Sequence, residues 1–183
     1  IKENSMKRKN NKISNIIGII IILTAVLANN NFFAKVDPNY QTGKVIRVVD
    51  GDTAVIRMKN ENQKVRFIGM DTPEYNPIRN ISDPWGKEAS EFTKNLLENK
   101  IVYLEKDVSE TDKYNRLLRY IWLEPPQDPG NPTYEEIENL MINGILVRDG
   151  YARAKTYKPD TKYQYELKEI EKSAKNKKLA IWS

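Results

Sequence analysis

Gly43-Lys-Val-Ile-Arg-Val-Val-Asp50-Gly-Asp52-Thr53-Ala-Val-Ile-Arg-Met58-Lys-Asn-Glu-Asn-Gln-Lys64-Val-Arg66-Phe-Ile-Gly-Met70 is the stretch that decides the fold. It holds three runs rich in β-branched residues, at 44–49, 53–58 and 64–70. Asp50-Gly51 and Asn60-Glu-Asn-Gln63 separate them, and both are turn chemistry. Connections this short leave no room for a crossover, so the three strands form an antiparallel meander.

Outward from the meander, 84–100 (PWGKEASEFTKNLLENK) reads as a helix with Ala89, Phe92, Leu96 and Leu97 on one face and Pro84 at its start. Two more strands follow, at 101–105 and 117–123, joined by the polar turn Thr111-Asp-Lys-Tyr-Asn-Arg116. Prolines keep 124–132 irregular. A helix is expected over 134–148, apolar at Ile137, Leu140, Met141, Ile145 and Leu146. Gly144 inside it costs about 1 kcal/mol relative to alanine, so it marks a close packing contact. A charged helix over 161–178 and an apolar tail, Leu179 to Trp182, expected to fold back into the core, complete the chain. This order, with one helix between the third and fourth strands, predicts an α+β fold with a mainly β core: a five-stranded OB-fold β-barrel with three α-helices. Such a fold leaves function open.

Residues 1–28 have a different character. Met6 to Lys12 is a basic stretch and Ile16 to Ala28 an apolar one, with Val26-Leu27-Ala28 as a small-residue cleavage site. That pattern is a secretory signal peptide, or alternatively an N-terminal membrane anchor. Residues 29–40 read as a flexible linker and 41–183 as the folded domain. Most of the net charge of +5 belongs to the leader; residues 29–183 carry 25 basic against 24 acidic groups. Global charge is therefore no argument for a nucleic-acid partner.

Histidine and cysteine are absent. Disulfides, thiol nucleophiles, imidazole bases and the usual zinc and copper ligands are thereby excluded. A metal would bind through oxygen, which favours calcium, magnesium or manganese.

Two acidic motifs, Asp50-Gly-Asp52-Thr53 and Asp71-Thr72-Pro-Glu74, are the candidates for that oxygen. Alone, the first is foremost a hairpin signal and the second a proline-stiffened turn. Together, with Arg66 just ahead of the second, they bring carboxylates from two strand ends to a hard-cation site beside a guanidinium, a combination suited to metal-assisted phosphodiester chemistry. Ala54 and Ile56 after Asp52 rule out an EF-hand loop.

VVDGDT, VRFIGMDTPE, WGKEASEFTK, TDKYNRLLRY, ILVRDGYA, YKP and the terminal KKLAIWS resemble, in order, segments of the staphylococcal nuclease (thermonuclease) family. The resemblance spans about Gly43 to Ser183. It implies a calcium-dependent endonuclease acting on DNA and RNA and leaving 3′-phosphate ends. Calcium (Ca2+) would be held by Asp52, Asp71 and the Thr72 carbonyl. Glu74 would act on the attacking water, Arg66 and Arg116 would clamp the phosphate, Lys113 and Tyr114 would touch a terminal phosphate and sugar, and Tyr157 would line the nucleotide pocket.

Two departures stand out. Asn115 replaces the family's usual glycine before the arginine, and asparagine tolerates positive φ. Lys155 stands where a pocket tyrosine is expected, which weakens a base-stacking role there while leaving a phosphate contact open. The proline-rich loop also looks longer than the family's hairpin. The rival reading is a catalytically silent OB-fold module that binds nucleic acid or protein; against it, Asp52, Asp71, Arg66, Glu74 and Arg116 are all present. DNA and RNA are the expected partners of a monomer, secreted or tethered by the leader.

Overall fold

The computed structural model describes residues 40–183, so the expected leader and all of the linker except Tyr40 lie outside the described residues. Tyr40 opens β1 (Tyr40–Asp50) and is buried edge-on against Trp122. β2 (Thr53–Met58) and β3 (Glu61–Phe67) complete the antiparallel meander. The turn into β3 is only Lys59 and Asn60, tighter than the four polar residues suggested, because Lys59 takes a left-handed φ of 54°.

Two register shifts in β1, between Val45 and Arg47 and between Val48 and Asp50, let one long strand serve two neighbours. Its second half pairs with β2 and its first half with β7 (Ile101–Glu105). Extra residues of this kind bend a strand, and bending is what closure requires. With β8 (Leu117–Trp122) antiparallel to β7 and parallel to β3, the order β1-β2-β3-β8-β7 closes a barrel. Val45, Ala54, Ile56, Val65, Phe67 and Leu104 are among the residues that fill it.

The run expected as one strand through Met70 breaks at Gly69, whose φ of +79° suits glycine. The break turns β4 (Met70–Asp71) away from the barrel to pair with β9 (Arg153–Ala154). A small hairpin, β5 (Tyr75–Asn76) with β6 (Ile81–Ser82), follows.

Helix α1 (Gly86–Leu97) buries Ala89 and Leu97 as expected, with Phe92 and Leu96 half-buried and Thr93 taking the intervening buried position. The single helix expected over 134–148 is two: α2 (Tyr134–Asn139) and α3 (Ile142–Arg148). Leu140 ends the first, Met141 is extended, and both join β8: Leu140 O accepts from Leu123 N at 2.9 Å and Met141 bridges Trp122. Among the described residues there are therefore four α-helices. Gly144 is the packing contact its position implied, since a Cβ there would lie 1.9 Å from the Ile137 carbonyl oxygen.

Helix α4 (Gln164–Asn176) packs Leu167, Ile170 and Ala174 inward. The tail does not enter the core. Ala180–Trp182 is a half-buried 3-10 turn in which Trp182 lies between Arg153 and Lys175, 4.7 and 4.4 Å from its ring.

Candidate active site

Asp52 is the second residue of the two-residue turn between β1 and β2 and is only 2% exposed. The turn is held from two sides. Thr93 of α1 donates to the Gly51 carbonyl at 2.8 Å, and the Thr72 side chain packs so closely that a Cβ on Gly51 would lie 2.5 Å from its Oγ1. Thr72 N also donates to Asp52 Oδ2 at 3.3 Å. The two acidic motifs are thus in direct contact.

Arg66, paired in register with Thr53, joins them through its side chain. Its Nη1 donates to Asp52 Oδ1 in a very short ion pair, and its Nη2 donates to Asp71 Oδ1 at 2.6 Å. Asp71 gathers two more donors. Tyr157 Oη reaches Oδ1 at 3.2 Å, and Lys155 Nζ reaches Oδ2 at 2.9 Å. The β4–β9 pairing makes this possible by bringing residues 153–157 beside Asp71.

Burial sets the protonation tendencies. It pushes the Asp52 carboxyl up to about 7, against the pull of Arg66. Burial alone would raise Asp71 as well, but the Lys155 ammonium and the Arg66 guanidinium hold it below the usual carboxylate range. The Tyr157 hydroxyl is raised by burial and by the Asp71 carboxylate, so it serves as a neutral donor.

Above this floor opens a cleft of about 480 Å3 lined by Arg66, Asp71, Glu74, Tyr114, Arg116 and Tyr157, among others. Glu74 is exposed, and no hydrogen bond among the described residues engages its carboxylate. Its backbone is fixed by Asp83: Glu74 N donates to Asp83 Oδ2 at 3.2 Å, and Asp83 N donates to Glu74 O at 2.9 Å. Across the cleft, Arg116 Nε and Nη2 both lie 2.7 Å from Asp112 Oδ2. Asp112 Oδ1 accepts from the backbone N–H groups of Tyr114 and Arg116, and Asn115 sits at φ 61°, the geometry glycine would supply. Tyr114 is 69% exposed at the rim. Lys113 lies outside the cleft lining, its Nζ 5.0 Å from the Tyr114 ring centroid.

The structure therefore brings Asp52, Asp71, Thr72, Arg66 and Tyr157 into one cluster, with Glu74, Tyr114 and Arg116 on the cleft walls. Three residues that support this site were not singled out from the sequence: Asp112, which orients Arg116; Asp83, which fixes Glu74; and Thr93, which pins the Gly51 turn. Of these, Asp112 alone carried a signal, as an aspartate four residues ahead of the arginine in a polar turn. Lys155, expected at the pocket with a phosphate contact left open, is paired with Asp71.

Among the described residues no three acidic side chains gather into a metal cage. A cation would rest on the Asp52 and Asp71 carboxylates and the Thr72 carbonyl, leaving the remaining positions to water and phosphate oxygens. Calcium takes about six to eight oxygens, so such an open set fits it. The structural argument for the fit is Asp52: a buried carboxylate, pushed upward by burial, whose counter-ion Arg66 is shared with a second carboxylate.

A closed five-stranded barrel with an acidic and guanidinium-bearing cleft beside it is an OB-type ligand-binding architecture. The family model described as staphylococcal nuclease homologue matches residues 64–183. The chain is 39% identical over 176 residues to a thermonuclease of Staphylococcus hyicus, covering 91% of this chain and 96% of the relative. It is 36% identical over 168 residues to a thermonuclease of Staphylococcus intermedius, covering 91% and 92%. The SPbeta prophage-derived endonuclease YokF of Bacillus subtilis (strain 168) is 34% identical over 139 residues, which are 75% of this chain and 42% of that protein. The chain belongs to the staphylococcal nuclease family.

Proposed function

We propose that the protein is a secreted, calcium-dependent endonuclease that hydrolyses phosphodiester bonds of DNA and RNA and leaves 3′-phosphate ends. The observation that carries this reading is the convergence of Asp52 and Asp71 on Arg66 at the floor of a cleft whose walls present Glu74 and Arg116.

Hydrolysis builds negative charge on the phosphoryl oxygens as water adds to phosphorus and the P–O5′ bond breaks, the departing 5′ oxygen taking its proton from solvent water. Arg66 and Arg116 act on that charge. Each guanidinium has five N–H donors; Arg66 directs Nη1 and Nη2 to its carboxylates and Arg116 directs Nε and Nη2 to Asp112, so each keeps further donors for phosphate oxygens. Asp112 and the paired aspartates hold both forks in fixed orientations, the preorganisation that electrostatic catalysis requires. Glu74, exposed and unengaged, accepts the proton of the attacking water, a role histidine cannot fill in this chain. Tyr157 and Tyr114 offer aromatic faces to the sugar and base. Calcium, when bound, supplies positive charge for the phosphoryl oxygens.

The test is cleavage of single-stranded DNA and RNA by the purified chain. Activity with calcium should stop on chelation, Glu74→Gln should lose about 100-fold or more, and the products should carry 3′-phosphates. Calcium-independent cleavage, or full activity in Glu74→Gln, would contradict the mechanism. Binding without cleavage by the wild-type chain would favour the silent module. For the leader, N-terminal sequencing of protein recovered from culture medium should begin just after Ala28.

A further inference from the structure

Every oxygen of Asp71 is covered by a cation, and the two cations are held very differently. Arg66 on Oδ1 is confined: its side chain is 11% exposed and tied to Asp52 as well. Lys155 on Oδ2 is not. Its side chain is 51% exposed, with Nζ 5.4 Å from the Tyr157 ring centroid. Only its backbone is fixed, by donation from Lys155 N to the Gly69 carbonyl at 2.9 Å and by the adjoining β4–β9 pair.

A divalent cation on the Asp71 carboxylate and an ammonium 2.9 Å from the same carboxylate repel each other. Arg66 is held on the floor by its burial and by two carboxylates. Lys155 can leave, because its four-carbon stem swings from a fixed backbone and its ammonium already lies beside the ring of Tyr157, which lines the cleft. Building on the calcium reading above, we infer that Lys155 is an exchangeable counter-ion of Asp71: it neutralises the carboxylate before a cation binds, and when displaced it becomes a phosphate contact for the nucleic acid. The lysine thereby couples cation binding to nucleic-acid binding, since each ligand relieves a cost imposed on the other.

Two titrations on the full chain test this. Calorimetry with calcium alone should show Lys155→Met binding about 2- to 5-fold more tightly than wild type, the range set by an exposed ion pair. Fluorescence anisotropy with a labelled single-stranded oligodeoxynucleotide, in calcium and in the Glu74→Gln background, should show Lys155→Met binding more weakly. Its affinity should also depend less steeply on potassium chloride, by about 0.7 in the log–log slope for one lost phosphate contact. Lys155→Arg should return both quantities toward wild type, which a merely structural lysine would not require. Unchanged or weaker calcium binding in Lys155→Met overturns the proposal, as does an unchanged salt slope. Asp71→Asn separates the two readings. Calcium binding lost in Asp71→Asn but unaltered in Lys155→Met sinks the counter-ion role alone; no calcium binding by the wild-type chain sinks it together with the metal reading.

Discussion

The two arginines proposed to meet the phosphate are built into opposite kinds of structure. Arg66 rises from a barrel strand and is locked between two carboxylates, one buried in the β1–β2 turn and one at the end of β4. Arg116 sits at the end of a surface turn, held by Asp112 only four residues away. One is held by the tertiary fold and the other by a local turn. Equivalent chemistry on the two sides should therefore carry unequal consequences for stability.

The largest expected effect follows from removing each guanidinium. Arg66→Ala leaves Asp52 buried with its counter-ion gone, a loss of about 3 kcal/mol in unfolding free energy. Arg116→Ala should stay within about 0.5 kcal/mol of wild type yet lose about 100-fold in kcat. Urea unfolding and steady-state kinetics on both variants check this. Equal destabilisation would erase the distinction between floor and wall.

Backbone positions on the two sides should diverge in the same way. Gly51→Ala forces a Cβ to within 2.5 Å of Thr72 Oγ1 and should cost about 2 kcal/mol, because Thr72 is itself tied to Asp52. Asn115→Gly relaxes a φ of 61° on an exposed turn and should change stability by no more than about 0.5 kcal/mol. Thermal unfolding of the pair separates a position fixed by packing from one fixed by local geometry.

The same division governs what the sequence discloses. Barrel strands announce themselves through β-branched runs, and Asn115 announces a left-handed turn, because both signals are local. The convergence of Asp52, Asp71 and Arg66 is readable because Arg66 lies in a recognisable strand and the two aspartates in compact acidic motifs that follow β-branched runs. Other features depend on partners distant in sequence. The apolar period of 134–148 runs unbroken through Leu140 and Met141, so only their pairing with Leu123 and Trp122 reveals that one helix is two. Nor does the run ending at Met70 show that Gly69 turns it toward Arg153 and Ala154, and without that pairing the ion pair of Lys155 with Asp71 has no visible cause.

The smallest effect concerns the anchor of the loop arginine. Burial alone would raise the Asp112 carboxyl, but hydrogen bonds from the Arg116 backbone and side chain and from Tyr114 N hold it below the usual carboxylate range. A folded-state pKa below the unfolded value of about 3.9 means that the stabilisation is present above that pH and disappears as pH falls through the folded value. Asp112→Asn should therefore be less stable than wild type by about 0.5 to 1 kcal/mol near neutrality, and the gap should close on acidification. Because Asp112 orients Arg116 without touching the floor, the variant should retain calcium affinity while KM rises. A gap that persists at low pH, or weakened calcium binding, would mean that the loop and the floor are one cooperative unit instead of two independently held halves.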